Sequence, residues 1–260
     1  MTSPWDPNQY HRFRDERAQP FHDLLDLCQP IPGGRAVDLG CGTGELTRLM
    51  HDHLSPAETV GIDSSATMLA EAAAHAGAGL RFEQHDIASF ADAAGFDLVY
   101  SNAALQWVDD HPALIPRLAA LVRPGGQFAF QVPANHDHVS HRLAHEIAAE
   151  EPFAAALGGY VRGVPVMLPE WYAAALDRLG FAPQRVLLEV YGHHLEGPEG
   201  VIEWVKGTLL TDYKRRLPGP LYEDYLARYR ERLLARLDGA RPYFYPFKRI
   251  LAWGRKGGGT

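Results

Sequence analysis

The chain has 260 residues, of which 46% are hydrophobic, enough for a full core. Its 25 basic and 32 acidic residues give a formal net charge of −7, which argues against nucleic acid as a partner. The chain is long for one minimal α/β domain and short for two, so we expect one domain with an insertion. Two cysteines are too few for a disulfide framework and favour a reducing, cytoplasmic location.

The N-terminal segment, residues 1–31, has neither the basic nor the apolar region of a signal peptide. No uncharged apolar run in the chain is long enough to cross a bilayer, so we expect no membrane partner. The pattern from residue 5 to residue 28 predicts two short helices with a break near Pro20. The first combines aromatic residues with Arg17, which fits either a packed helix or a lid over a ligand.

A glycine-rich turn follows the first apolar run: Asp38-Leu39-Gly40-Cys41-Gly42-Thr43-Gly44. Glycine lacks a Cβ, so the turn can take positive φ and a ligand can approach the main chain. A dinucleotide site has the spacing G-x-G-x-x-G, whereas here the third glycine comes one residue early and Asp38 precedes the first. That acid would repel a pyrophosphate. It suits a ligand that carries positive charge, such as S-adenosylmethionine.

Two further acids end the next two predicted strands. Asp63 lies about twenty residues after the glycines, the offset at which a carboxylate binds ribose hydroxyls. Asp86 could meet the adenine amine, and Met68 fits either the core or the adenine. Alone, the turn fits a plain tight turn and Asp63 a helix cap. Together, and in this order along the chain, the glycine turn, Asp63 and Asp86 predict a class I S-adenosylmethionine-dependent fold.

Strand and helix patterns alternate over residues 32–134, as a parallel sheet covered on both faces requires. We take this range as the cofactor-binding core. Residues 135–245 are mainly helical in pattern, with one strand near 184–190, and predict a helical cap. Residues 246–254 predict the last strand and residues 255–260 a disordered tail.

Several stretches beyond the glycine turn have a particular sequence. These are Trp5-Asp6-Pro7, Gly61-Ile62-Asp63-Ser64-Ser65, Asn102-Ala103-Ala104-Leu105-Gln106-Trp107, Gln131-Val132-Pro133 and Ile202-Glu203-Trp204-Val205. With them, the chain resembles the bacterial trans-aconitate 2-methyltransferases over nearly its whole length, although residues 160–167 and 211–219 depart from the family pattern. The resemblance implies an α/β, Rossmann-like class I methyltransferase fold. That fold has a seven-stranded, mostly parallel sheet with an antiparallel last strand, a helical cap and an N-terminal lid helix.

The same resemblance implies S-adenosylmethionine as the cofactor, S-adenosylhomocysteine as its product and trans-aconitate as the substrate of a monomeric enzyme. We assign to the cofactor Tyr10, Asp38, Gly40, Cys41, Gly42, Asp63, Ser64, Met68, Asp86, Ile87 and Asn102. We assign to the substrate Tyr10, His11, Arg17, Gln106, Trp107, His194, Trp204 and Arg249. Among these, Arg17, Trp107 and Arg249 are the groups expected to position the reacting carboxylate, with a surface ion pair as the alternative for each arginine.

Methylation of a carboxylate needs no general base. A carboxyl group with a pKa near that of Asp, about 3.9, is already ionised at neutral pH. The enzyme then has to supply position and a dry site. The lack of an obvious catalytic His-Asp pair therefore agrees with this chemistry.

Four histidines crowd one segment: His136, His138, His141 and His145. The last two have the i, i+4 spacing of a helical metal pair. No acid or cysteine completes a metal site, so we expect no metal and interpret these histidines as a solvated helix face.

Three other functions remain open from the residues. The first is a class I methyltransferase acting on the oxygen or carbon of another small molecule, such as a biosynthetic acid or a polyketide. The second is a protein that binds S-adenosylmethionine without catalysis. The third is a dinucleotide-dependent oxidoreductase, which the glycine spacing disfavours.

Overall fold

The computed structural model describes residues 14–258, with side chains from residue 19 onward. The predictions for Tyr10, His11 and the lid lie outside the described residues, and at Arg17 only the backbone is described. The first described helix, α1, spans Arg14–Leu27 and continues through Pro20, so the predicted break there is wrong. Pro20 is buried beside the fully buried Phe21. This packing offsets the backbone hydrogen bond that a proline removes.

One sheet contains the seven described strands, which are β1 (Arg35–Leu39), β2 (Glu58–Asp63), β3 (Leu80–Gln84), β4 (Phe96–Asn102), β5 (Val122–Pro133), β6 (Phe181–Leu195) and β7 (Tyr243–Lys256). Their spatial order is β3-β2-β1-β4-β5-β7-β6. The pairs β3-β2, β2-β1, β1-β4 and β4-β5 are parallel, and β7 runs antiparallel to β5. The predicted seven-stranded sheet with an antiparallel last strand is confirmed.

Burial explains why the first strands lack the alternation of a half-exposed sheet. β1 buries all residues but Arg35, and β2 all but Glu58 and Asp63, as expected where both faces of a parallel sheet are covered. β6 and β7 are both longer than the strands predicted near 184–190 and at 246–254. They are neighbours in the sheet, and a neighbouring strand supplies backbone hydrogen bonds along the added length.

Nine further helices lie in the described part of the chain: α2 (Glu45–Leu54), α3 (Ala66–Ala72), α4 (His111–Ala120), α5 (Val139–Ala148), α6 (Phe153–Leu157), α7 (Pro169–Arg178), α8 (Glu199–Lys206), α9 (Thr211–Arg216) and α10 (Gly219–Leu234). Ser65 caps α3 by accepting from Met68 N–H at 3.4 Å, and Asp110 caps α4 by accepting from Ala113 N–H at 3.2 Å. Serine and aspartate are among the residues preferred at helix N-caps. No helix within residues 14–258 is long and apolar enough to cross a membrane.

The chain divides into two compact units. The larger unit comprises Arg17–Pro133, Pro165–Glu189 and the chain from Arg249 onward, and it contains β1 to β5 with α2, α3, α4 and α7. The smaller unit includes Ala134–Val164 and Val190–Lys248, and it contains α5, α6 and α8 to α10.

Tyrosines form much of the core of the smaller unit. Tyr225 and Tyr229 are fully buried. Their hydroxyls donate to the carbonyl oxygens of Ala144 at 2.8 Å and of Ser140 at 3.0 Å, so α10 is bonded to α5. Burial raises the pKa of both hydroxyls, which keeps them protonated as donors.

The histidine-rich segment differs from its prediction. His141 and His145 lie on α5, and neither is exposed. The rings of His136 and His141 meet edge to face with centroids 5.8 Å apart. Burial, reinforced by the other histidines and Arg162, lowers the pKa of His141 to about 3. The interpretation as a solvated helix face is therefore wrong, because none of the four histidines is exposed and burial lowers the pKa of His138, His141 and His145. Among residues 14–258, no cluster of three His, Cys, Asp or Glu side chains could hold a metal ion.

Candidate functional site

The candidate site lies in the larger unit, where β1, β2 and β4 reach their carboxyl ends. The turn between β1 and α2 contains three glycines with positive φ, namely Gly40 at 82°, Gly42 at 55° and Gly44 at 77°. The backbone of α2 begins directly at Gly44. Parallel α/β sheets bind their ligands at this edge, beside the amino ends of the following helices.

The glycines serve two different purposes. A Cβ at Gly40 would lie 2.2 Å from Cβ of Ala104, and one at Gly44 would lie 2.7 Å from the ring of Phe82. These two positions are packed against the fold. A Cβ at Gly42 would meet nothing within 4 Å. The turn is therefore open at Gly42, where a ligand can contact the main chain.

Asp63 braces this turn from the end of β2. Its Oδ2 accepts from Gly42 N–H at 3.0 Å, and its Oδ1 accepts from Ser65 N–H at 2.8 Å. Each carboxylate oxygen can accept more than one hydrogen bond. Asp63 can therefore hold the turn and still accept from two ligand hydroxyls.

Asp38 lies buried beneath the same turn. Its Oδ2 accepts from the Thr47 hydroxyl at 2.6 Å, whereas Oδ1 is buried and has no hydrogen-bond partner among residues 19–258. Burial raises the pKa of Asp38 to about 7, against the effect of the Thr47 hydrogen bond and with a contribution from Asp63. A buried acceptor without a partner is rare in native proteins. We interpret Oδ1 as a group that a cationic or hydrogen-donating ligand completes.

The remaining residues assigned to the cofactor surround this turn unevenly. Ile87 is buried, with Cδ1 3.5 Å from the position of a Cβ at Gly40, whereas Ser64 and Asp86 are exposed. Met68 is partly buried. Burial raises the pKa of the Cys41 thiol, so it stays protonated and is no nucleophile at neutral pH.

A chain of three polar side chains crosses the ends of β4, β5 and β7. Gln131 Nε2 donates to Asn102 Oδ1 at 2.9 Å, and Arg249 Nη1 donates to Gln131 Oε1 at 3.0 Å. The backbone register explains the meeting, because Asn102 pairs with Gln131 and Pro133 with Arg249. Arg249 is 5% exposed. The structure thus brings two predicted residues, Asn102 and Arg249, to opposite ends of one amide.

A short turn of 3-10 helix, Leu105–Trp107, follows β4 at the same edge. Gln106 Nε2 donates to the carbonyl of Ala103 at 2.6 Å, and Gln106 Oε1 is buried without a hydrogen-bond partner in the described part of the chain. Trp107 is 48% exposed. The turn therefore presents one aromatic face and one unsatisfied amide acceptor.

Comparison with known proteins supplies the family. A methyltransferase domain family matches residues 10–185. The trans-aconitate 2-methyltransferase of Deinococcus radiodurans is 48% identical over 253 residues, which are 95% of this chain and 96% of that protein. The protein of the same name from Variovorax paradoxus is 42% identical over 96% of this chain and 95% of its own.

The chain belongs to the trans-aconitate 2-methyltransferase family.

Solved structures agree on the fold of this family member. The YcgJ protein from Bacillus subtilis superposes with a TM-score of 0.62 at 16% identity, covering 93% of this chain and 100% of that chain. Phosphoethanolamine N-methyltransferase 2 of Haemonchus contortus, in complex with S-adenosylmethionine, has a TM-score of 0.55 at 17% identity and covers 92% of this chain and 52% of that chain. The fold is that of the S-adenosylmethionine-dependent methyltransferases.

The smaller unit holds the other two described candidates for substrate contact. The ring of Trp204 packs on that of His193 with centroids 4.8 Å apart. His194 is exposed and packs on Phe244 with centroids 5.4 Å apart. Successive strand residues point to opposite faces, so His193 is the residue that meets Trp204. Of the two histidines, the one assigned to the substrate, His194, does not contact Trp204 in this packing.

Two further residues of the larger unit were missing from the assigned site. Thr47 binds Asp38, and Gln131 joins Asn102 to Arg249. Both had a signal in the sequence. Thr47 lies one helical turn after the last glycine, and Gln131 is a polar residue at the end of an apolar strand.

Proposed function

We propose that this protein transfers the methyl group of S-adenosylmethionine to one carboxylate of trans-aconitate, forming a methyl ester and S-adenosylhomocysteine. The observation that carries the proposal is the nearly full-length likeness, at 37–48% identity, to proteins named trans-aconitate 2-methyltransferase. The polar chain that ends in the buried Arg249 supports it, because a tricarboxylate needs a cation for the groups that do not react.

The residues around the glycine turn fit S-adenosylmethionine. Gly42 leaves room beside the main chain, and Asp63 has acceptor capacity for ribose hydroxyls. Oδ1 of Asp38 is buried without a hydrogen-bond partner among residues 19–258, and it suits the ammonium group of the methionine moiety. When bound, S-adenosylmethionine supplies an electrophilic methyl group on a sulfonium. Ile87 and Met68 would give apolar contact to the adenine, and Asp86 a hydrogen bond to its amine.

This chain's own residues then have to orient an anion. The attacking carboxylate is ionised at neutral pH, so no side chain has to remove a proton. Arg249 is held by the Gln131 amide and loses little conformational freedom when it binds a carboxylate of the substrate that does not react. Arg17 is assigned the same role, and Gln106 and Trp107 are assigned to contact the substrate and to exclude water from it. Trp204, in the smaller unit, remains a candidate for substrate contact.

The raised pKa of Asp38 predicts that cofactor affinity depends on pH. Only the ionised carboxylate attracts the ammonium, and with a pKa of about 7 its ionised fraction falls about tenfold from pH 8 to pH 6. We expect the Kd of S-adenosylmethionine, measured by titration calorimetry, to rise by about that factor over the same interval. Binding in turn lowers the pKa of Asp38.

Two variants control this pH experiment. Asp38→Asn removes the titrating group and should flatten the profile, leaving only the titration of the ligand's own amine. Thr47→Val removes a hydrogen bond that lowers the pKa, so its profile should move to higher pH. An Asp38→Asn profile as steep as that of the wild type would contradict the assignment.

The function is tested by incubating the protein with S-adenosylmethionine and trans-aconitate, cis-aconitate, citrate or isocitrate, and by weighing the products by mass spectrometry. We expect a gain of one methyl group on trans-aconitate and equimolar S-adenosylhomocysteine. Methylation of none of them, with the cofactor bound, would reject the substrate. Methylation of all four at equal rates would reject trans-aconitate as the specific substrate.

Location and assembly belong to the same proposal. We propose a cytoplasmic enzyme that acts as a monomer on a small molecule. Size-exclusion chromatography with light scattering tests the assembly, and a dimer whose formation is required for activity would contradict it.

A further inference from the structure

Two fully buried polar side chains take no part in the assigned site. His111 is the first residue of α4, and Tyr172 lies in α7. His111 Nδ1 lies 2.5 Å from the Tyr172 hydroxyl oxygen, and His111 Nε2 lies 3.0 Å from the carbonyl oxygen of Leu105. Both ring nitrogens are thus bonded, as a buried imidazole requires.

The hydrogen-bond partners of His111 and Tyr172 show which of their atoms carry the protons. A carbonyl oxygen can only accept, so Nε2 carries a proton and donates to Leu105. Burial lowers the pKa of His111, so the ring is neutral and Nδ1 accepts from the Tyr172 hydroxyl. The Tyr172 oxygen accepts in turn from Met167 N–H at 3.1 Å. One directed chain therefore runs from Met167 through Tyr172 and His111 to Leu105.

This chain of hydrogen bonds ends at the carbonyl of Leu105, in the 3-10 turn that also contains Gln106 and Trp107. Just before the turn, Ala103 has a φ of 53°, which is unfavourable for a residue with a Cβ. Inside the turn, Leu105 O also accepts from Val108 N–H at 2.9 Å. A single turn of 3-10 helix is weakly stable by itself. The bond from His111 adds a fixed partner to it from a neighbouring helix.

We propose that His111 is a positioning residue for the substrate: by holding Leu105 it fixes the direction of Gln106 and Trp107, and Tyr172 fixes the tautomer that lets it do so. The proposal rests on the proposed function, since it takes Gln106 and Trp107 as substrate contacts. His111 itself touches neither substrate nor cofactor. Its role is to keep the turn in one conformation before the substrate arrives.

Two substitutions at His111 separate this role from packing. Gln places its amide nitrogen near the position of Nε2 and can still donate to Leu105, whereas Asn reaches only the position of Nδ1 and loses that bond. We expect His111→Asn to raise the KM for trans-aconitate about tenfold and to leave the KM for S-adenosylmethionine within about twofold. We expect His111→Gln to remain within about threefold of the wild type for both. Equal effects of the two substitutions would overturn the proposal.

Amide hydrogen exchange measures the stability of the 3-10 turn independently of the methyl-transfer reaction. The amides of Trp107 and Val108 donate inside it, to Ala104 and Leu105. We expect His111→Asn to speed their exchange about tenfold and His111→Gln to leave it near the wild-type rate. Unchanged exchange in His111→Asn would overturn the proposal. If the wild type does not methylate trans-aconitate while the exchange rates behave as expected, the proposed function fails and the control of the turn by His111 stands.

His51 provides a matched control. It is also a buried histidine of the larger unit, with Nδ1 2.8 Å from Thr59 Oγ1 and Nε2 2.9 Å from Ala78 O. It lies in α2, more than one turn after the glycines. His51→Asn should lower the melting temperature and leave the KM for trans-aconitate and the exchange of the turn unchanged. A His51 variant that matched His111→Asn in both would show a general loss of stability and overturn the proposal.

Tyr172→Phe tests the second member of the chain. It removes the hydroxyl that bonds to His111 Nδ1 and Met167 N–H, so the tautomer is no longer fixed. We expect a rise in KM for trans-aconitate smaller than that of His111→Asn, and no additional rise in the double variant. Additive effects would show that Tyr172 acts independently and would overturn its assigned part.

Discussion

Arg249→Gln is expected to lower kcat/KM for trans-aconitate about 100-fold, or about 2.7 kcal/mol, because it removes a charge-assisted bond to a substrate carboxylate. The Kd for S-adenosylmethionine should stay within about threefold, since cofactor binding is assigned to other residues. Gln keeps the aliphatic part of the side chain and a polar end, and it removes the positive charge. Steady-state kinetics with each substrate in turn, together with calorimetric binding of the cofactor, measures both quantities.

Arg255 is the matched control for this experiment. It lies on the same strand, β7, six residues further along, and donates to Gly125 O and to Gln29 Oε1, both at 3.0 Å. Six residues of a strand span about 20 Å, so Arg255 is remote from the polar chain. Arg255→Gln should leave kcat/KM unchanged. An equal loss in the two variants would contradict a substrate role for Arg249.

The second large effect is expected at Asp63, where Asn should weaken S-adenosylmethionine binding about 50-fold, or about 2.3 kcal/mol. The substitution removes a charged acceptor for ribose hydroxyls. It also disturbs the bonds from Gly42 and Ser65 that brace the turn. The KM for trans-aconitate at saturating cofactor should change much less. Calorimetric titration with S-adenosylhomocysteine provides the same comparison without turnover.

Asp97 controls for the loss of a structural carboxylate. Its Oδ2 accepts from Arg35 N–H at 2.8 Å and from Arg123 Nη1 at 2.9 Å. It lies near the start of β4, at the opposite end of the strand from Asn102. Asp97→Asn should reduce stability and leave cofactor affinity unchanged. If it weakened binding as much as Asp63→Asn, the effect at Asp63 would be structural.

The sheet was predictable because its signals are local. Apolar runs ending in Asp38, Asp63 and Asn102 mark strands that are buried on both faces, and glycine spacing marks the ligand turn. The predicted helix break at Pro20 is wrong because the cost of a proline inside a helix is offset by packing that only the tertiary structure supplies. Local sequence carries no information on that packing.

The polar chain at the sheet edge was only half predictable. Asn102 and Arg249 were named, but they meet through Gln131, which is 118 residues from Arg249 in the sequence. Such a contact depends on strand order and register. The same limitation applies to His193 and His194. The alternation of side chains along a strand predicts that the two point to opposite faces, but not which of them faces the core. The buried His111 and Tyr172 gave no signal, because they are 61 residues apart.

The most direct test of the proposed methyl transfer follows a labelled methyl group. The wild-type protein is incubated with trans-aconitate and S-adenosylmethionine carrying a ¹³C-methyl group, and the product is examined by ¹³C NMR. We expect one methyl ester resonance, with one equivalent of S-adenosylhomocysteine released for each ester formed. A labelled methyl group attached to a carbon atom of the substrate would contradict the proposed ester formation. So would a label that remains on S-adenosylmethionine while the cofactor is bound.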